Sequence, residues 1–240
     1  MQAPAPILLL TRPEAQSGRF AAAATARFGA AVRILVAPLM EIVFTAPVLP
    51  LDGVRALAFT SENGVAGFCR LSPRRDLPAY CVGARTAEAA RSAGFRARSA
   101  AGDGAALARL IAAEGAAGPL LHPHGAHRQG DLAAALAGAG IALRAVEVYR
   151  QEPRSPSPAA AAVLNGQTRV IAPIFSPRSA RLFRAAFAAP RAPLALVALS
   201  PAVAEALGQR PGERLLTAAR PEAEAMLDAV AAAIDAGPAA

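Results

Sequence analysis

Two serines stand where an apolar run stops and a helical pattern begins. Val54 to Phe59 ends at Thr60-Ser61, and the apolar spacing resumes at Val65 and Phe68. Val170 to Phe175 ends at Ser176, followed by Pro177 and an apolar pattern through Phe183. Serine is a favoured helix N-cap and proline suits the first helical position, so both stretches predict strand, tight turn, helix. Each serine has a phenylalanine seven residues on, which marks two copies of one device. At the end of a strand such a turn offers backbone N–H groups and a hydroxyl, the place where open α/β sheets bind ligands.

Further helix starts are predicted near Arg12, Thr86, Asp103, Arg128, Ser200 and Arg220. Their partial positive charge suits carboxylates or phosphates without any lysine. Arg12, Arg85, Arg128, Arg178 and Arg220 lie beside these turns and could add bidentate contacts. Each of them alone also reads as a solvated arginine, and each serine as a plain cap. Tyr149 is one of only two tyrosines. A phenol beside a cleft can give a proton to a leaving oxygen, or simply seal an interface with its ring. His122, His124 and His127 fall in one predicted loop, read either as an anion-contacting loop or as a metal site short of thiolate and carboxylate partners.

The elements that would position these groups alternate along the chain. Strands are predicted at 7–10, 32–36, 54–59, 79–82, 95–98, 120–121, 170–175, 194–199 and 215–216, with helices between them. Short loops between alternating strands and helices mean parallel sheets covered on both faces. The chain also repeats itself. Residues 8–42 resemble 120–151, and 55–95 resemble 169–210, in the order A-B-A′-B′. Two similar lobes follow, built as A with B′ or as A with B. The segments 36–44 and 143–151 are extended, lack helix signals, and suit a two-stranded bridge.

Composition narrows the function. The 240 residues are 54% hydrophobic and 18% charged, enough for a substantial core. The net charge is +8, yet the arginines are scattered and form no arm or stripe. With 5% aromatics and no tryptophan, a nucleic-acid surface is disfavoured and a small polyanionic ligand preferred. Cys69 and Cys81 sit in apolar runs and read as buried, reduced thiols. No G-x-G-x-x-G, P-loop, H-E-x-x-H or G-x-S-x-G occurs, so nucleotide, zinc-protease and serine-hydrolase chemistry lack support. No leader or span-length apolar segment is visible, and the chain reads as cytoplasmic.

Several stretches together resemble the uroporphyrinogen-III synthase family. They are Thr11-Arg-Pro13, Phe59-Thr-Ser-Glu-Asn-Gly-Val65, Cys81-Val-Gly-Ala-Arg-Thr-Ala87 with Gly94-Phe95, Gly104 with Leu107, Val146-Glu-Val-Tyr149, and Phe175-Ser176. They cover nearly the whole chain in order. The resemblance implies an α/β fold of two doubly wound parallel-sheet lobes joined by a two-stranded antiparallel linker. Residues 1–35 with 152–240 would form one lobe, 44–143 the other, and 36–43 with 144–151 the linker. It implies that hydroxymethylbilane is cyclised and dehydrated with inversion of its last ring, without metal or organic cofactor. The partners implied are this polycarboxylate and the upstream synthase that would hand it over, with the chain a monomer. Tyr149 matches the family's tyrosine and is the expected catalytic residue. Ser61, Thr86 and Ser176 match polar cleft positions, and Arg12, Asn63, Gly83, Gly125, Arg128 and Ser200 complete the expected substrate-binding set. Two departures stand out. Leu199-Ser-Pro-Ala-Val203 lacks the hydroxyl expected near Ala202 or Val203, which Ser200 would replace. His124-Gly125 stands where members tend to carry Arg-Gly. A two-lobed, non-enzymatic anion-binding relative is the alternative reading.

Overall fold

The computed structural model describes residues 4–116, 118–127 and 130–237. In chain order, β1 (Ile7–Leu10), α1 (Glu14–Phe28) and β2 (Arg33–Val36) come first, followed by β3 (Met40–Phe44). Then come β4 (Ala56–Phe59), α2 (Glu62–Leu71), β5 (Ala79–Cys81), α3 (Ala84–Ser92), β6 (Ala97–Ser99) and α4 (Gly104–Ala113). β7 (Leu120–Gly125), α5 (Leu132–Ala137) and β8 (Leu143–Pro153) follow. The last elements are α6 (Pro158–Leu164), β9 (Val170–Ile174), α7 (Pro177–Ala186), β10 (Leu194–Ala198), α8 (Pro201–Leu207), β11 (Glu213–Thr217) and α9 (Ala223–Asp235).

Two compact units result, Met1–Glu41 with Glu152–Ala240, and Ile42–Gln151. The first holds a sheet in the order β11-β10-β9-β1-β2, parallel throughout. The second sheet runs β3-β8-β7-β4-β5-β6, parallel from β8 to β6. The repeat is therefore resolved as A with B′ in the first unit and B with A′ in the second. β3 and β8 pair antiparallel. Thr45 N–H donates to the Val148 carbonyl at 3.1 Å and Arg154 N–H to the Leu39 carbonyl at 2.9 Å, so the two strands run in opposite directions.

β1, β4, β9 and β10 are unbroken apolar runs, buried at every position, because both faces of each are covered. Ile7 and Leu9 pack with Phe183 and Leu207 on one face of the first sheet. Leu8 and Leu10 pack with Phe20, Met226 and Val230 on the other. In the second unit Leu57 and Phe59 meet Phe68 and Phe95, while Ala56 and Ala58 meet Leu107, Ile111 and Leu136. Phe68 and Phe183, the two phenylalanines seven residues past the serines, are both fully buried.

Both thiols are free, Cys81 buried and Cys69 half-buried. Burial pushes the Cys81 thiol up to about 11 and raises Cys69 as well. The thiolate is the nucleophile, so a disulfide reagent at pH 8 is expected to leave Cys81 unmodified until the chain unfolds. Immediate titration of both thiols in folded protein would contradict this burial.

The histidine region differs from the sequence expectation. β7 does not stop at Leu121 but runs through His122, Pro123 and His124 to Gly125, leaving only His127 beyond the strand. The expectation fails at Pro123, because proline cannot donate to a ladder and reads as a strand end. Arg55 N–H donates to the Pro119 carbonyl on the β4 side, and Leu120 N–H to the Ala142 carbonyl on the β8 side. Alternation then turns position 123 toward β4. But β4 and β7 pair only at Ala56–Leu57 with Leu120–Leu121, so no donor is required there. Pro173 repeats the device in β9, whose pairing with β1 also covers just two residues. In both units the two central strands part after two residues, and a proline marks the parting.

Candidate functional site

The parting strands are the switch points of the two sheets. From β4 the chain proceeds to β5 and β6 on one side, whereas β7 leads to β8 on the other. In open α/β sheets the crevice beyond the strand ends at this point is the usual ligand site. Ser61 sits there as the N-cap of α2, its Oγ accepting the Gly64 N–H at 3.0 Å. The same Oγ lies 3.0 Å from the phenol oxygen of Tyr149. Because the cap uses one Oγ lone pair, the Ser61 proton remains available to the phenol.

A bulge aims Tyr149 at Ser61. His124 pairs with Glu147, but Gly125 pairs with Tyr149, so Val148 is an extra residue in β8. Regular strands alternate faces, whereas here Val148 and Tyr149 both turn toward α2. Val148 packs where a Cβ on Gly67 would lie, 2.5 Å from its Cγ2. The ring of Tyr149 lies against Gly125, where an added Cβ would stand 2.5 Å from Cζ and 2.9 Å from the hydroxyl. The Pro123 carbonyl similarly fills the space beside Gly64. Glycines in α2 and β7 thus let helix and strands approach closely, and Tyr149 is buried to 7% exposure.

The other face of the same strand ends carries a second polar pair. The Thr60 hydroxyl meets Nε2 of the buried His122 at 3.0 Å. His124 stands beside it, ring centroids 5.3 Å apart, with Nδ1 donating to the Gly125 carbonyl at 2.8 Å. That bond leaves the Nε2 nitrogen of neutral His124 as an acceptor. No group of three or more His, Cys, Asp or Glu converges among the described residues. Asn63 occupies the first turn of α2. Gly83 caps α3 at the end of neighbouring β5, and Thr86 is buried in the first turn of that helix. Arg128 lies outside the described residues.

The first unit has its own switch point, between β1 and β9. Ser176 caps α7, its Oγ accepting from Ser179 N–H at 3.1 Å and lying 2.9 Å from Ser179 Oγ. Arg12, at the end of β1, lays its guanidinium over the Phe175 ring at 4.1 Å. Ser200 caps α8 through its carbonyl, which accepts from Val203 and Ala204, and its hydroxyl takes no part in the cap. Of the sequence candidates, Tyr149, Ser61 and Gly125 are in direct contact. Arg12 and Ser176 share a second centre, and Asn63, Gly83, Thr86 and Ser200 lie on the adjoining turns. The sequence reading missed the Thr60–His122 pair and the role of Gly64 and Gly67, although their three-residue spacing on one helix face was a visible signal.

The sequence model of the family described as Uroporphyrinogen-III synthase HemD matches residues 20–228. The chain belongs to the uroporphyrinogen-III synthase family. The family works in heme biosynthesis on a tetrapyrrole substrate, and this chain has that enzyme function. Among solved structures, uroporphyrinogen-III synthetase from Helicobacter pylori aligns over 94% of this chain and 99% of its own, with 18% identity and a TM-score of 0.67. That likeness shows the shared two-sheet fold. A mutant uroporphyrinogen III synthase from Thermus thermophilus aligns over 96% of this chain and 99% of its own, with 18% identity and a TM-score of 0.49. A search of curated protein sequences gives no match.

Proposed function

We propose that the chain converts hydroxymethylbilane to uroporphyrinogen III as a cofactor-independent cyclising lyase, with Tyr149 as the catalytic acid. The observation that carries this reading is the phenol held 3.0 Å from Ser61 Oγ at the switch point of the second unit. In the reaction the hydroxymethyl C–O bond of the first ring breaks. Tyr149 gives its proton to the departing oxygen, which leaves as water, and an electron-poor azafulvenium cation remains beside the phenolate. The Ser61 hydroxyl, itself polarised by the α2 N-terminus, donates to the phenolate so formed. The last ring attacks through its substituted carbon, and the spiro intermediate fragments and recloses with that ring inverted. The final ring carbon releases a proton, which restores the phenol.

The electron demand is met inside the substrate, since uncatalysed closure already occurs and gives the uninverted isomer. The protein's principal work is then to hold one geometry. We infer that each unit grips the acetate and propionate arms through its own helix starts. In the second unit these are the starts of α2 and α3, through Asn63, Gly83 and Thr86, with Gly125 and Arg128 beside them. In the first they are Arg12, Ser176 and Ser200. Residues 36–43 and 144–151 serve as the linker, and the lobes extend over 1–35 with 152–240 and over 44–143. The chain works as a cytoplasmic monomer supplied by the upstream synthase. Two free thiols fit a reducing compartment, and no helix among the described residues is long and apolar enough to cross a membrane.

The Ser61→Ala variant tests the assigned proton path. Losing the cap is expected to destabilise α2 by about 1 kcal/mol. Losing the phenolate's donor is expected to lower kcat by roughly ten-fold while KM changes little. Ser61→Thr should restore most of kcat. A raised KM with normal kcat in Ser61→Ala would instead make Ser61 a binding group and remove it from proton transfer.

A further inference from the structure

At the opposite end of the second sheet, where β5 and β6 begin, a groove of about 540 Å³ opens. Its floor is apolar, made by Pro78, Tyr80, Phe95 and Ala97, and its rim carries Arg91, Arg96 and Arg98. The rim charges are unequally matched. Arg98 is held by Glu114 at 2.5 Å, a carboxylate that the Tyr80 hydroxyl also bonds. Arg91 faces Glu88 at 3.4 Å with both side chains largely exposed, a weak pairing. Among the described residues Arg96 reaches only the carbonyl of Asp76, at 3.5 Å. The negative end of α3 is covered, because Arg75 donates to the Ala93 carbonyl at 2.8 Å and lies over Phe95. The groove therefore presents positive charge above an apolar floor.

Beside it runs the outer edge of the sheet. β6 is the terminal strand. Ala79 N–H donates to the Arg96 carbonyl and Ala100 N–H to the Cys81 carbonyl, so residues 96, 98 and 100 turn their backbone groups inward. Alternation turns those of Ala97 and Ser99 outward, an edge ready to accept another strand. We propose that this edge and groove dock an extended, acidic segment of a partner protein. The segment adds a strand to β6, pairs its carboxylates with Arg91 and Arg96, and lays an apolar side chain on the half-buried Pro78 and Ala97 of the floor. Charge complementarity and the short edge set the affinity, on the order of 0.1 mM, as in transient encounters.

The test is amide NMR on the intact protein with a blocked octapeptide of alternating aspartate and valine. The expected result is slowed exchange and shifted amides at Ala97 and Ser99, with binding weakened about ten-fold by Arg91→Glu with Arg96→Glu. Ala97→Pro, which removes one outward donor at a tolerated edge position, should abolish peptide binding and leave turnover unchanged. Equal binding of a lysine–valine octapeptide would overturn the proposal, as would absence of binding. So would shifts confined to arginine side chains, or groove occupancy by anilinonaphthalene sulfonate alone, either of which would mean a small-anion site. Concentration-dependent protection of Ala97 and Ser99 without peptide would assign the edge to a second copy and also overturn it.

Discussion

Replacing Gly125 with alanine is expected to slow turnover about as much as removing the Tyr149 hydroxyl, ten-fold or more. An alanine Cβ would stand 2.5 Å from Cζ and 2.6 Å from Cε2 of the Tyr149 ring. The ring is almost fully buried, so it must leave its place and its bond to Ser61. The backbone itself tolerates alanine there, since Gly125 is not among the residues with positive φ. The effect is thus steric and local. Tyr149→Phe should give the same loss with the isomer ratio intact, because the role proposed for the phenol is to move a proton and not to shape the substrate. Combining the two changes should be no worse than either, as expected for residues acting as one unit. Single-turnover rates for the three variants decide the matter. Wild-type rates in both single variants would remove Tyr149 from catalysis.

The second large effect is on stability. Arg184 and Glu213 form a bidentate pair at 2.7 Å in both arms, with side chains only 9% and 7% exposed. The same guanidinium binds the carbonyls of Leu207 at 2.7 Å and Gly208 at 2.5 Å, closing the C-terminus of α8 against β11. Arg184→Ala would leave a buried carboxylate and two carbonyls without their partner. The expected destabilisation is about 3–5 kcal/mol, read in urea unfolding as a lower midpoint with unchanged slope. Arg184→Met with Glu213→Leu should recover much of it, since the uncompensated charge is then gone. A loss below about 1 kcal/mol for Arg184→Ala would contradict the buried pairing.

Acid should act on a different element. Asp103 caps α4, and its bond from the Ala106 N–H, above all, holds its carboxyl below the usual range. A depressed native value means stability present above the ordinary carboxylate range and lost as pH falls through the lowered value. Asp103→Asn, which still caps, should therefore flatten the acid limb of the stability curve. An unchanged limb would mean that the carboxylate charge contributes nothing.

Much of this architecture was legible because the strands are buried on both faces and punctuated by caps. Ser61, Asp103 and Ser176 each cap the helix that their position foretold. The pairing of the repeats was not legible. Nothing in residues 8–42 says which later copy supplies the neighbouring strand, and the answer came from β1 lying beside β9. The reach of β7 was hidden because Pro123 reads as a stop, whereas its missing donor faces the side on which β4 has ended. The contact of Ser61 with Tyr149 spans 88 positions and depends on a bulge at Val148, for which strand periodicity gives no sign. Gly125 was picked out by its resemblance to a family position, but its physical reason is the ring against it.

The most direct measurement is the isomer produced. Hydroxymethylbilane generated in situ closes unaided to isomer I. Added protein should divert it to isomer III, with the oxidised products separated and counted. Isomer I alone, in the presence of folded protein, would contradict the assigned reaction and leave a two-lobed anion-binding protein in its place.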